Sequence, residues 1–569
     1  MPRRVVCALL VLGSLLLVAA PAEAAILAPI TYRVTTTADQ ANGPTGGLSL
    51  REAAALAADD DTDSRIVLGI GATYELDRCG AAPDQGALLV DNVDPAGFYL
   101  TVQGRGSTIE QTCAGESVWH QVAYSPLLLR DLTITGGDAS GVVVTTGWSI
   151  TTVDVTFTGN SNTGNGGALT VGGGGSAVVV RSSFDGNDSG ADGAAIWANA
   201  SVTVRESTFS FNGSEDTDLG GAVATPGGIS VDRSTFTGNV AVDGAAMHAD
   251  TVWLSAATIA GDDPGPAGAA VVATDDLESE TSIIRPADGN ACDVGDTGIS
   301  GGYNLISNSS CFAPATGDAT GQAALGSLQA NGGHTETLLP VAAGSGQVSV
   351  IDAIPASATA SCADLGHDQR QVDRPQGAGC EIGAVEVPNP FSDVGAGNQF
   401  FAEIAWMDDA EVTTGYVDGT FRPSGSVTRS AMAAFLYRLS GETFVAPETA
   451  SFPDVTTTHP FFLEVEWLND SGITGGYSDN TFRPAAPVTR QAMAAFVYRF
   501  EGEPGFIDPT TPSFSDVGTG NLFFTEIEWM ADAGISSGYV DGTWRPGVNV
   551  SRQAMARFLF VASNVGEAS

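Results

Sequence analysis

Residues 391–562 spell one pattern three times. Phe391-Ser392-Asp393-Val394 returns as Phe452-Pro453-Asp454-Val455 and Phe514-Ser515-Asp516-Val517. A Trp follows each Phe by 15 residues (Trp406, Trp467, Trp529), and the Tyr of a Gly-Tyr pair follows by 25 (Tyr416, Tyr477, Tyr539). Then come Phe421-Arg422-Pro423, Phe482-Arg483-Pro484 and Trp544-Arg545-Pro546, and an Arg 38 residues after each Phe: Arg429, Arg490, Arg552. Identical spacing in three copies marks a repeat architecture. Each unit reads as two helices around a turn. The stretch 400–407 has apolar residues at helical spacing. Val417-Asp418-Gly419-Thr420 is a turn, and Thr428 is a good N-cap for a helix from Arg429 to Leu439. The three Trp fall on apolar helix faces, so core packing rather than sugar stacking is their expected role.

These residues resemble the S-layer homology family over nearly all of 391–562. The resemblance implies a helical module of three units, 391–441, 452–502 and 514–563, with pseudo-threefold arrangement, that binds an anionic cell-wall glycan. The family's second helix often opens Thr-Arg-Ala-Glu. Here it opens Thr428-Arg429-Ser430-Ala431, Thr489-Arg490-Gln491-Ala492 and Ser551-Arg552-Gln553-Ala554, with Ala in place of Glu each time. Thr-x-x-Glu is a capping box, so the hydroxyl cap remains and the reciprocal bond is lost. A helix N-terminus whose amides face outward beside an Arg is an anion site. Thr428, Arg429, Thr489, Arg490, Ser551 and Arg552 are therefore the expected glycan contacts, for a carboxylate, pyruvyl or phosphate group on a wall polymer. The competing reading pairs each Arg with a neighbouring acid.

A looser repeat fills 130–275. Phe157, Phe184, Phe209 and Phe236 recur at 27, 25 and 27 residues, each followed three residues on by Asn160, Asn187, Asn212 or Asn239, and Ile259 takes the next Phe place. Gly166-Gly167-Ala168-Leu169 has counterparts beginning at Gly193, Gly220, Gly244 and Gly268. Short β-prone runs such as 177–181 and 201–205 lie between. Short strands, Gly and Asn turns and a period in the twenties predict a right-handed parallel β-helix whose inward Phe, Val and Ile stack from rung to rung. Asn at one recurrent turn can ladder, because its amide both donates and accepts. The expected fold class is mainly β: this solenoid over 65–340, followed by the helical module.

The flanks agree. Ser49-Leu50-Arg51-Glu52-Ala53 resembles the Ser-Leu-Arg-Glu-Ala entry motif ahead of many surface β-helices, with Leu48 where a Cys is usual. Ser49 and Glu52 form a capping box for a short helix in an N-terminal cap, 25–64, that covers the first coil's open edges. The segment from Asp368-Gln369-Arg370 through Arg374-Pro375 to Cys380-Glu381-Ile382-Gly383-Ala384 resembles the closing segment (341–387) of the "choice-of-anchor" group, which precedes varied wall anchors. Pro388 to Pro390 reads as a linker.

Residues 1–24 read as a secretory leader: Arg3 and Arg4, an apolar run from Val5 to Ala20, then the small-residue site Ala22-Glu23-Ala24. That run is short for a membrane span, which needs about 20 residues. No other segment could cross a bilayer. Cys7 leaves with the leader. An even set in an exported chain suggests disulfides, and local pairing is preferred among the possible connectivities: Cys79 with Cys113, Cys292 with Cys311, Cys362 with Cys380. All 23 basic residues are Arg, against 66 acids, for a net charge of −43. Such a surface repels nucleic acid and anionic lipid.

Evidence for catalysis is thin. Asp185, Asp188 and Asp192 cluster, as do Glu215, Asp216 and Asp218, but in Gly/Asn/Ser stretches where Asp is an ordinary turn residue. Arg181, Arg205 and Arg233 recur on strands and are read as partners of turn acids. The five His form no metal pattern, and no calcium nonapeptide appears; no cofactor or metal ligand is assigned, and calcium enters only with a lyase reading. G-x-S-x-G matches at Gly298–Gly302, in a Gly-rich loop, and at Gly534–Gly538, in a repeat turn. Neither offers the strand-turn-helix of a nucleophile elbow. Two functions stay open: a wall-bound adhesive, glycan-binding or structural protein, and a wall-bound polysaccharide lyase or hydrolase of the pectate-lyase-like type.

Overall fold

In an extended run such as Ser176–Val180, alternate side chains face opposite ways. Ala177 and Val179 point inward and are buried, while their neighbours face out. The run can satisfy its backbone only by pairing with other strands, and it does so in parallel register with Ile150–Thr158 before it and Ser201–Arg205 after it. The same step repeats along two further lines of strands. One runs through Val142–Val144, Leu169–Val171, Ile196–Ala198, Val223–Ala224 and Met247–Ser255. The other runs through Ser183–Asp185, Thr208–Ser210, Thr235–Thr237, Thr258–Ala260 and Ile283–Arg285. The computed structural model thus contains a 26-stranded sheet, parallel throughout its pairings, wound as a β-solenoid of about 10 turns. It describes residues 29–563 apart from 42–46, 61, 81–85, 92–98, 123–125, 146, 342, 344–345, 359–361, 363–364, 377–378, 388–390, 392, 395–397 and 540. The expected leader, the linker 388–390 and Gly377-Ala378 of the closing motif lie outside the described residues.

The repeat residues do what their spacing predicts. Phe157, Phe184, Phe209 and Phe236 stack with centroids 4.7 Å apart and planes within 11° of parallel. That distance matches the spacing of adjacent strands, about 4.8 Å, so rung pitch and ring stacking support each other. Behind them each ladder Asn donates from Nδ2 to the next Oδ1: Asn160 to Asn187 (3.0 Å), Asn187 to Asn212 (2.9 Å), Asn212 to Asn239 (2.9 Å). Asp262, not Asn, occupies the last rung and accepts from Asn239 at 2.6 Å. Gly167 makes the close turn possible: a Cβ there would meet the Asp188 carbonyl oxygen at 2.1 Å.

At the N-terminal end, helix α1 (Leu50–Ala58) has the Ser49/Glu52 capping box. Its Leu50, Ala53, Ala54 and Ala57 join the solenoid core. Arg51, buried, clamps Asp39 through Nε and Nη2 at 2.6 and 2.8 Å and donates to the carbonyls of Gly86 and Ala87. The parallel ladder already begins at Ile30–Arg33, ahead of α1, which pairs with Ser64–Val67. The segment that resembles a closing motif folds back on the solenoid flank. Gln369 bonds Thr235, Thr208 and the Ser207 carbonyl, and His367 meets Glu206 at 3.0 Å. Cys79–Cys113, Cys292–Cys311 and Cys362–Cys380 are disulfide-bonded.

The C-terminal repeats supply helices α2 (Phe401–Asp409), α3 (Arg429–Ser440), α4 (Phe462–Asp470), α5 (Arg490–Phe500), α6 (Phe524–Asp532) and α7 (Arg552–Ala562). The second helix of each repeat packs on the first helix of the next: α3 on α4, α5 on α6, and α7 back on α2. At the centre, Val427 N donates to Val550 O (3.0 Å), Val488 N to Val427 O (2.9 Å) and Val550 N to Val488 O (2.9 Å), a closed ring of three. The module is therefore cyclic, with one apolar core. Trp467 and Trp529 are buried in it, and Trp406 packs edge-on to Phe560.

Candidate functional site

Three related sites lie where the repeats meet. Thr428, Thr489 and Ser551 take extended backbone and accept a hydrogen bond from the amides of Ala431, Ala492 and Ala554, the expected hydroxyl caps. The two preceding amides of each helix do not face outward, contrary to the sequence reading. Arg429 N and Ser430 N donate to the Ala486 and Pro484 carbonyls; Arg490 N and Gln491 N donate to those of Val548 and Pro546; Arg552 N and Gln553 N donate to those of Gly425 and Pro423. A chain segment of the adjoining repeat thus occupies each helix N-terminus, and the anion-attracting groups that remain are the guanidinium groups.

The competing reading, an ion pair with a neighbouring acid, is not what the structure shows. Among the described residues Arg429, Arg490 and Arg552 pair with no acid. Each is more than nine-tenths buried and directs Nε at a backbone carbonyl of a neighbouring repeat: Phe482 O (2.7 Å), Trp544 O (2.7 Å) and Phe421 O (2.6 Å). Aromatic rings surround the charge. Arg490 Cζ lies 5.0 Å from the Tyr539 ring, 4.6 Å from Trp544 and 5.6 Å from Phe558, and the other two match it. Burial pushes all three guanidinium pKa values down from their ordinary value, yet Arg stays protonated in proteins. A buried cation with one carbonyl and three ring faces is incompletely compensated, and an anion in the groove would complete it.

A second Arg stacks on each of the same Tyr rings. Arg422, Arg483 and Arg545 sit 3.8, 3.9 and 3.9 Å from the Tyr416, Tyr477 and Tyr539 centroids. These Arg adopt left-handed φ of 58, 58 and 59°, held by Asp393, Asp454 and Asp516, whose Oδ2 accepts the Arg amide. Their guanidinium groups meet Asp418, Asp479 and Asp541 at 2.9, 2.9 and 2.8 Å. Bonds from Thr420, Thr481 and Thr543, then from these Arg, draw those carboxyls down to about 2. The sequence displayed this second Arg at constant spacing beside a Gly turn, and that constancy was the signal for assigning it.

The grooves are not identical. The one at Arg490 opens a cavity of about 460 Å³ lined by Ser536, Ser537, Tyr539, Gln553 and Arg557. Arg490 Nη2 reaches Ser536 Oγ at 3.4 Å. Arg557, which stands where the other repeats have Ala434 and Ala495, donates to Glu403 at 3.1 Å. The sequence reading passed over Arg557; its departure from Ala in an otherwise constant helix was the available signal.

The solenoid's candidate residues stay apart from such a site. Arg181 pairs with Asp154 at 2.8 Å, and Arg233 with Asp232 at 2.7 Å and Glu206 at 3.4 Å. Asp185 and Asp188 accept bonds from Ser210 and Ser214. Gly298–Gly302 lies on the strand Thr297–Gly302, not in the loop expected. Ser300 there accepts from the Gly302 amide and Asn304, and a strand follows instead of a helix. Among the described residues no group of three or more His, Cys, Asp or Glu is arranged to hold a metal ion.

Fold and site together define a two-part chain: a parallel β-solenoid joined to a cyclic three-repeat helical module with a buried Arg and a second Arg on one Tyr at each repeat junction. The S-layer homology domain family matches residues 390–433, 451–494 and 513–556. The chain carries three S-layer homology domains. Cell surface glycoprotein 1 of Acetivibrio thermocellus is 32% identical over 143 residues, 23% of this chain and 6% of that protein. The cellulosome-anchoring protein of the same organism is 28% identical over 151 residues, 26% of this chain and 34% of that protein. An S-layer protein of Bacillus licheniformis is 25% identical over 171 residues, 30% of this chain and 19% of that protein. The chain thus spans about a third or less of the length of these relatives. The crystal structure of pectate lyase Pel9A aligns over 63% of this chain and 98% of that one, at a TM-score of 0.30 and 13% identity. No helix among the described residues is long and apolar enough to cross a membrane.

Proposed function

We propose that this chain is an exported surface protein, held non-covalently to an anionic cell-wall polysaccharide by its three helical repeats, with the solenoid displayed for binding or structure. The carrying observation is the trio Arg429, Arg490 and Arg552. In a chain of net charge −43, three buried guanidinium groups lack a carboxylate partner among the described residues, and each shares a Tyr ring with a second Arg. Planar guanidinium suits carboxylate or phosphate on a wall glycan. The matches to surface and anchoring proteins support the same reading, and the leader-like residues 1–24 supply a route of export.

The test is cosedimentation of the full chain with purified cell walls. Retention should fall with rising salt. Arg490→Lys, which keeps the charge and loses the fork, should weaken binding about tenfold. Walls stripped of phosphodiester and ketal acid groups should lose the protein. Equal retention on stripped and intact walls would refute the anionic ligand.

A further inference from the structure

The solenoid carries a notch of its own. Parallel register places Thr170, Trp197, Ala224 and His248 in one outward row on successive turns. At about 4.8 Å per strand, Trp197 and His248 stand roughly 10 Å apart, with only the Ala224 methyl between them. A cavity of about 350 Å³ opens at this gap, rimmed by Asn165, Asp192 and Asp250. Trp197 and His248 are half-buried and Asp250 is exposed, so the notch has an aromatic wall, a shallow apolar floor and a polar rim.

We infer that this notch is a saccharide subsite for a pyranose that bears no carboxylate, either an uncharged or an amine-bearing sugar. Shape and chemistry both select for it. An indole wall over a small floor offers a stacking face for a ring with one apolar side. The rim offers acceptors for hydroxyls: Asp250, which takes one bond from Thr274, and Asp192, whose own amide donates to Asn165 Oδ1. Among the described residues the His248 ring and the Asn165 side-chain amide nitrogen make no hydrogen bond, and both residues line this gap, the amide as a donor and the ring as a donor or an acceptor for a ligand.

Charge decides between sugar classes. Burial, the largest effect on His248, holds its pKa below the ordinary value against the opposing pull of Asp243, Asp192, Asp250 and Asp293 and so favours the neutral ring. Asp192 is itself raised, by burial first and then by Asp218. Among the described residues no Arg lines the cavity. A uronate would enter a pocket of acids with no cation to meet it, and like charges repel strongly where solvent is reduced. Hydroxyls and amines meet the acceptors they need. The anionic wall polymer proposed for the Arg grooves is excluded here by the same reasoning, so the chain holds two sites of opposite selectivity.

The test is calorimetric titration of the full chain with cellohexaose, mannohexaose, a chitosan hexamer and hexagalacturonate. At least one of the first three should bind with a Kd of about 10 µM to 1 mM, and hexagalacturonate at least about tenfold more weakly. Trp197→Ala, at a half-buried position, and Asp250→Asn, at an exposed one, should each weaken that binding about tenfold or more with an unchanged circular-dichroism spectrum, whereas Arg438→Ala, in the helical module, should leave it unchanged. No binding by any of the three, equal binding of hexagalacturonate, or full affinity in both variants would overturn the inference. Wall cosedimentation reads the Arg grooves separately, so either proposal can fail alone.

Discussion

Replacing Asp262 by Asn should stabilise the solenoid, and by an amount that grows with pH. Asp262 ends the Asn ladder. Its Oδ1 accepts from the Asn239 amide (3.0 Å) and side chain (2.6 Å), while Oδ2 is buried without a hydrogen-bond partner. Full burial lifts its pKa from 3.8 to about 7, against the lowering effect of Asn239. An acid whose pKa is higher in the folded state binds its proton more tightly there. Its folded state is therefore undisturbed below pH 4 and loses stability as pH rises from there to about 7. Taken at 1.36 kcal/mol per pKa unit, the penalty is about 2 kcal/mol at pH 5 and about 4 kcal/mol at pH 8. Asn does not titrate. In the earlier rungs Asn187, Asn212 and Asn239 also donate from Nδ2 to the carbonyls of Phe157, Phe184 and Phe209, so Asn at 262 would reach toward the Phe236 carbonyl and complete the row. Hydrogen exchange of peptides spanning 235–263, read by mass spectrometry, compares parent and D262N at each pH, which cancels the intrinsic pH dependence of exchange. The difference in opening free energy should widen by about 2.5 kcal/mol between pH 5 and pH 8. An equal difference at both pH values would refute a titrating, buried Asp262.

Three further outcomes follow from the same contacts. Asn212→Ala leaves the Asn187 amide and the Phe184 carbonyl without their ladder partner, which should destabilise the solenoid by about 2–5 kcal/mol in urea unfolding. Phe209→Ala opens the middle of a four-ring stack and should cost about 3–5 kcal/mol in the same assay. Arg557→Ala should lower wall retention several-fold while Arg438→Ala, whose side chain donates to the Val412 carbonyl, changes retention less, as cosedimentation at a fixed salt concentration would show.

Much of this architecture was legible because the contacts that make it recur at fixed chain distance. A Phe every 25 to 27 residues can stack only if each interval is one turn, and an Asn three residues later must then sit at one corner. Ser49 with Glu52, and the hydroxyls of Thr428, Thr489 and Ser551, are caps whose partners lie three residues away. Local preference and local partner coincide there, so the sequence suffices. Ser300 was misplaced in a loop because Thr297–Gly302 is rich in Gly. Its strand exists through pairing with Asp276–Glu280, with Ser300 opposite Ser279, 21 residues away.

From the sequence alone came the three-copy helical module, the coil period, the stacked Phe, the Asn ladder and the excess of acid. Tertiary structure alone decided that the carbonyls of Ala486, Val548 and Gly425 stopper the helix N-termini, that Arg429, Arg490 and Arg552 are buried with no acid paired to them among the described residues, and that Trp197, Ala224 and His248 share one notch. The physical reason is range. Periodicity and caps are properties of neighbours along the chain, whereas the burial of a charge, and hence its need for a partner, depends on which distant segment closes over it.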